Sequence, residues 1–277
     1  MPRMIASTLL AGLLFSAAAS APAAAPNPGA EDLPDFSGVW TRAPEPEFLP
    51  VPGDKEGKPI TKLPVTGPDA GEIIAGNWDN PFLLPWAREV VKNNAVAEMR
   101  LQHIYQADDS CWPVAVPQIL NLREAVQFVQ TKDKLLIVYQ RDHLFRQIRF
   151  NQKHPENLKP SWFGDSVGRF EGETLVVDTI GIKTHKLSVV DTWGTPHTDK
   201  LHVTERYRLI DDVKGKGIEF TIRVEDPGAF AMPWTAMGYY RPNRLPELME
   251  VVCAENNRDF HEGSTFGTLP EEKTPAF

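Results

Sequence analysis

From Ala125 onward, apolar residues recur at every second position. This alternation predicts strands over 125–131, 134–141, 144–150, 162–170, 173–180, 201–210, 217–225, 235–241 and 248–255, because a pleated strand turns successive side chains to opposite faces. An opening strand is read at Asp35–Trp40, "DFSGVW". Short breaks at Lys132-Asp133, Glu171-Gly172 and Lys214 to Gly217 favour hairpins, hence an antiparallel meander. Many short strands with turn signals between them predict an all-β sandwich or barrel. With the opening strand, the order matches a lipocalin-like (calycin-type) barrel, a likeness of layout that carries no function.

The chain before Ala125 follows another pattern. Residues 43–70 hold seven prolines and no periodicity, so 43–84 is read as a long Pro-rich loop. Pro85 then opens a helix over 85–104, at a position where a missing N–H costs nothing. Ala87, Val90, Val91, Asn94, Ala95 and Met99 recur at helical spacing and give it one packing face, suited to covering a barrel end. Arg3, the apolar run Ile5–Ala19 and the Ala/Ser/Pro-rich stretch to Pro28 read as a secretory signal over 1–25, cut between Ala19 and Ala25. The expected plan is a leader (1–25), a linker (26–35), one barrel domain (36–260) and a tail (261–277). Export to the periplasm or the medium follows, with no membrane insertion once the leader is gone.

Charge and cysteine narrow the classes. The formal net charge is −8 and becomes more negative by one when Arg3 is removed, which argues against nucleic-acid partners. Cys111 and Cys253 are the two cysteines; in an oxidising compartment an even pair favours a disulfide, here from the loop after the helix to the last strand. C-x-x-C spacing is absent, as are G-x-S-x-G, a dinucleotide-binding glycine loop, a P-loop and H-E-x-x-H. No cofactor and no metal site is expected.

Candidate chemistry comes from polar residues on apolar faces. Strand 218–224 is a plain wall: Ile218, Phe220, Ile222 and Val224 share one face. On 201–209, Leu201, Val203, Tyr207 and Leu209 share theirs with Glu205, and on 144–150, Leu144, Ile148 and Phe150 share theirs with Arg146. Burying an unpaired charge is costly. Either Glu205 and Arg146 pair across the core, or both line a cavity and meet a ligand, Glu205 moving a proton while Arg146 holds an anion or a carbonyl oxygen. Asp165 lies between Gly164 and Gly168, where the strand is bent: a barrel corner, or an acid aimed into a cavity. Among His185, Asp191, His197, Asp199 and His202, His197 is singled out because it follows Pro196 ahead of the Glu205 strand. Trp162, Trp234, Tyr207, Tyr239 and Asp178 are candidate ligand-binding residues, the aromatics either lining a pocket mouth or filling core.

Trp162 to Thr179, "WFGDSVGRFEGETLVVDT", Pro196 to Arg206, "PHTDKLHVTER", Asp226-Pro227 and Pro233-Trp234 also form a recognisable set. The chain resembles a family of exported bacterial proteins of unknown role that share these motifs, with Phe170 where tryptophan is commoner. The resemblance spans residues 36–257 and implies family membership without a reaction or ligand. The expected function is an exported β-barrel holding a small, largely apolar organic molecule. The alternatives are a cofactor-free acid/base lyase or isomerase using Glu205 or Asp165 with Arg146 and His197, and a structural or interaction protein of the envelope.

Overall fold

The computed structural model describes residues 33–43, 47–67, 73, 75–100, 102 and 106–253. The leader, most of the linker and the tail lie outside them. Nine strands close into one barrel in sequence order: β1 (Gly38–Arg42), β2 (Val126–Gln130), β3 (Lys134–Tyr139), β4 (Phe145–Phe150), β5 (Asp165–Glu171), β6 (Thr174–Ile180), β7 (His202–Asp212), β8 (Gly215–Glu225) and β9 (Trp234–Pro242). The mostly β, closed-barrel architecture is as the alternation predicts. Closure comes from β1, which pairs with β2 on one side and with β9 on the other.

Period-two burial places the core inside the barrel. Ile218, Phe220, Ile222 and Val224 of β8 point inward opposite Leu209, Tyr207, Glu205 and Val203 of β7. Phe128, Tyr207, Phe220 and Tyr240 pack around one another with ring centroids 5.3–6.2 Å apart, at spacings and tilts aromatic rings prefer. Gly238 of β9 faces Phe220 across the ladder, and a Cβ there would come within 2.5 Å of both the Phe220 ring and the Arg42 guanidinium. Glycine is present because the barrel wall has no room for more.

The Pro-rich segment has a definite job. β1 reaches only Tyr240–Pro242 of β9, which leaves the first half of β9 with an open edge, a hazard in any sheet. Leu49 exchanges backbone hydrogen bonds with Met237, and Gly57 does so with Pro233 and Thr235. Phe48 and Phe82 from the same segment bury the Trp234 indole. The helix α1 (Pro85–Met99) starts at the predicted proline and buries Ala87, Val91, Ala95 and Glu98. Val90 is half-buried and Met99 exposed, so its packing face is narrower than the spacing predicts. Asn94 donates to the carbonyls of Trp193 and Gly194, and Leu84 N–H donates to Ala229. Both contacts lie in connections that follow inward-running strands of one direction, β6 and β8, so α1 covers that end of the barrel.

Two departures matter. First, eight of the nine neighbouring strand pairs are antiparallel, but β4 and β5 run parallel. Parallel neighbours need the chain to return, and residues 151–164 do so as a strap along the outside. Second, of the strand expected at 248–255, the described residues 248–253 form one bridge, Val251 to Arg141, and Ala254 and Glu255 lie outside the described residues. Cys253 nonetheless forms the disulfide with Cys111, 142 residues away. It fastens the segment after β9, rather than a last strand, to the loop after α1. Among the described residues no helix is long and apolar enough to cross a membrane.

Gly238→Ala should cost about 1–3 kcal/mol of unfolding free energy through overpacking, read as a lower urea midpoint with an unchanged denaturant slope.

Candidate functional site

Arg146 on β4 and Glu205 on β7 both point into the barrel, 1% and 0% exposed. They pair directly: Arg146 Nη1 donates to Glu205 Oε2 at 2.9 Å and Nη2 to Oε1 at 2.5 Å. The remaining polar positions belong to neighbouring strands. Ser166 of β5 accepts from Arg146 Nε and Nη2 at 3.1 and 3.0 Å, and Thr179 of β6 accepts from Nη2 at 2.8 Å. The Tyr207 hydroxyl donates to Glu205 Oε2 at 2.5 Å. Burial by itself favours a neutral guanidine, but the charge and hydrogen bonds of Glu205 outweigh it and hold the Arg146 pKa above its usual range. Burial, and then the Glu205 charge, raise Tyr207 in turn, so it stays a phenol and remains a donor. Of the two readings of Arg146 and Glu205, the structure shows the pair across the core.

Tyr139 of β3 stands beside this cluster. Its hydroxyl is buried without a hydrogen-bond partner, and its ring stacks on Phe163 at 6.1 Å. Burial raises its pKa.

A pocket lies on the outer side of the parallel seam. β4 and β5 pair only from Ile148–Phe150 to Ser166–Gly168. Before that the strands splay and leave a pocket of about 280 Å³. Phe145, Gln147, Arg149, Phe163 and Asp165 form its rim and walls, and the buried residues Arg146 and Ser166 also line it. Asp165 therefore does face a pocket, at the outer surface of the barrel rather than inside. It is held by Arg149 Nη2 at 2.7 and 2.8 Å. Gly164 (φ +63°) makes the bend that lets Phe163 and Asp165 face the seam; a Cβ at Gly164 would meet the Ile180 carbonyl at 2.5 Å.

The other candidates separate. Asp178 projects from the outer face of β6, between His154 Nε2 (2.8 Å) and His202 Nε2 (2.6 Å). His202's hydrogen bond, opposed by burial and aided by His154, lowers Asp178 from an ordinary 3.8 to about 2; the same bond raises His202 above 6.5. His197 lies away from Glu205. Its Nδ1 donates to the Thr198 carbonyl and its Nε2 accepts from the buried Ser188 hydroxyl, each at 2.8 Å. Burial lowers its pKa, which suits that neutral tautomer. Asp191 is raised to about 6 by burial and caps Trp193 and Thr195. Trp162 packs with Trp112 and His185, Trp234 is buried under Phe48 and Phe82, and Tyr239 stacks under Arg241 outside. Of the predicted residues, Glu205, Arg146 and Tyr207 meet inside the barrel, Asp178 meets His202 on its outer face and Trp162 meets His185, with Asp165 at the seam pocket.

Ser166, Thr179, Tyr139, Arg149 and His154 were not among the sequence candidates for a site. Ser166 and Thr179 carry a readable signal, because each occupies an inward position of an alternating strand. His154 sits in a loop with no periodicity, and nothing along the chain marks it. Among the described residues no cluster of His, Cys, Asp or Glu could hold a metal ion.

Glu205→Gln or Arg146→Met alone should lower unfolding free energy by about 3–5 kcal/mol, since each strands a buried partner, whereas Arg146→Met/Glu205→Leu together should recover at least half of that loss in urea titrations. The Asp178–His202 pair should also shape stability against pH. The Asp178 contribution is complete above 3.8 and is lost as pH falls toward about 2; the His202 contribution is complete below 6.5 and is lost as pH rises through its raised pKa. Asp178→Asn should flatten both limbs of the urea midpoint against pH. No protein-family model, no curated protein and no solved structure matches the chain.

Proposed function

We propose that this is an exported binding protein that holds a small organic molecule, largely apolar with one polar end, at the β4–β5 seam. The observation that carries the reading is the pocket of about 280 Å³ that opens between the splayed strands and reaches buried Arg146 and Ser166. Phe145 and Phe163 offer apolar contact for the body of such a molecule. Arg149 at the rim offers a donor for its polar end. The centre of the barrel offers less, since aromatic rings and the closed Arg146–Glu205 pair occupy it. Glu205 has both carboxylate oxygens on Arg146 and one also on Tyr207, so a lyase or isomerase reading has no free base there. Export rests on the leader pattern at the start of the chain, and the Cys111–Cys253 disulfide is compatible with it. The motif resemblance to exported bacterial proteins agrees with this location.

Native mass spectrometry of protein recovered from the periplasm of an expression host tests the reading. The expected mass lacks the leader and two hydrogens. Added benzoate or acetophenone should form a one-to-one complex that Gln147→Trp, which fills the seam from its exposed rim, abolishes without changing the unfolding midpoint. Absence of both complexes, or complexes indifferent to Gln147→Trp, would overturn the seam as the site.

A further inference from the structure

The seam pocket has open main chain along one wall. On β4 the even-numbered residues turn their backbone groups toward β3: the Leu144 carbonyl accepts from Tyr139 N–H, and Phe150 N–H donates to the Asp133 carbonyl. The odd-numbered residues Phe145, Gln147 and Arg149 therefore turn theirs toward β5. The parallel ladder opens with Ile148 beside Ser166, a bridge that uses the Gln147 carbonyl and the Arg149 N–H. Three groups of β4 precede it on that side: the Phe145 N–H, the Phe145 carbonyl and the Gln147 N–H.

The chain ahead of β5 does not answer them. A continued ladder would bring the Gly164 carbonyl to Gln147 N–H, Gly164 N–H to the Phe145 carbonyl and the Trp162 carbonyl to Phe145 N–H. Instead Gly164 N–H donates to the Ser161 carbonyl at 3.2 Å, Ser161 Oγ donates to the Gly164 carbonyl at 3.1 Å, and the Trp162 carbonyl accepts from Val116 N–H at 3.3 Å. Among the described residues the three groups of β4 thus meet no partner. Phe145 and Gln147 are exposed and line the pocket, so the open edge is reachable from solvent.

A ligand can supply what the chain withholds. The Phe145 carbonyl and the Gln147 N–H are placed for one residue of an extended chain, which would donate its N–H to the first and accept from the second with its carbonyl oxygen. That residue would lie opposite Arg146, so by strand alternation a side chain on it would point into the barrel. Arg146 and Tyr139, both fully buried, already fill that space, with Phe163 stacked on Tyr139. A residue without a side chain fits. Chain continuing beyond it would run into Asp165 at the head of β5, so the residue must end there, as a carboxylate. Arg149 lies next along the same edge, and its bonds to Asp165 balance that negative charge. In the other direction the edge leads to Phe145, 63% exposed, an apolar surface for whatever acylates the nitrogen.

We propose that the seam binds an N-acylated glycine with an apolar, aromatic acyl group by strand addition to β4. Its amide N–H donates to the Phe145 carbonyl and its carboxylate accepts from Gln147 N–H. This rests on the seam being the binding site.

Hippurate (N-benzoylglycine) is the probe, titrated into the mature protein beside N-benzoyl-N-methylglycine, which lacks the N–H, and benzoate, which lacks the glycine. Amide exchange would be read residue by residue by NMR at one pH. In the free protein the Phe145 and Gln147 amides should exchange faster than those of Arg146 and Ile148. Hippurate should slow Gln147 about tenfold, leave Phe145 unchanged, and bind about tenfold more tightly than either other probe, the scale of one hydrogen bond. Gln147→Trp should abolish its binding. Hippurate no tighter than its N-methyl analogue, or a Gln147 amide that it leaves unchanged, would overturn strand addition, and the seam reading would stand if benzoate still bound in a manner sensitive to Gln147→Trp. Failure of hippurate, benzoate and acetophenone alike to bind would overturn the seam reading and this inference with it.

Discussion

Everything inside this barrel is arranged around one buried ion pair. Arg146 and Glu205 carry full charges at positions that are essentially solvent-free, and a charge taken out of water is tolerable only when its partners are complete. Four strands contribute to completing them: β4 and β7 supply the ions, β5 and β6 the Ser166 and Thr179 hydroxyls, and β7 again the Tyr207 phenol. These strands must hold one register, because a slip by one residue would put each polar group on the outer face and an unpaired charge inside. The pair therefore acts as a lock on the alignment of β4 to β7. The aromatic packing of β2, β8 and β9 fills the rest of the interior.

That lock lies beside the parallel seam of the wall. β4 and β5 are the parallel neighbours, and their shared ladder is three residues long on each strand. The chain has to travel back along the outside to begin β5 in the same direction as β4, and the returning strap is tied down by backbone bonds at Asn151 and Ser161 and by His154 between Asp165 and Asp178. The inner pair and the outer contacts among Arg149, Asp165, His154 and Asp178 consequently lie on opposite faces of the barrel wall. Ser166 faces in and Asp165 faces out. The pocket opens on the outer side of this seam, beside Arg149 and Asp165.

Much of this was legible along the chain, in parts. The alternation of Ile218, Phe220, Ile222 and Val224 specifies a wall strand without ambiguity, and Glu205 and Arg146 are conspicuous because they break the same rule. Tyr207 joins Glu205 on the same face of the same strand. Pro85 marks the start of the helix by its missing N–H. Other parts could not be read. Residues 248–255 alternate well enough to predict a strand, yet among the described ones only Val251 pairs, in a single bridge to Arg141. His197 and His202 are five residues apart, but one hydrogen-bonds the buried Ser188 while the other faces Asp178 outside.

The sequence by itself determined the period-two walls, the single helix, the two cysteines able to pair and the two charges that had to be buried, because periodicity and the cost of desolvation are local and act wherever those residues stand. Only the tertiary structure decided that β5 runs parallel to β4, that the polar strap from Asn151 to Gly164 crosses the outer face, and that His154 comes to rest between Asp165 and Asp178. The reason is physical: the direction in which a loop returns, and which distant carboxylates a histidine meets, depend on how the whole sheet closes, and no spacing along the chain encodes that closure.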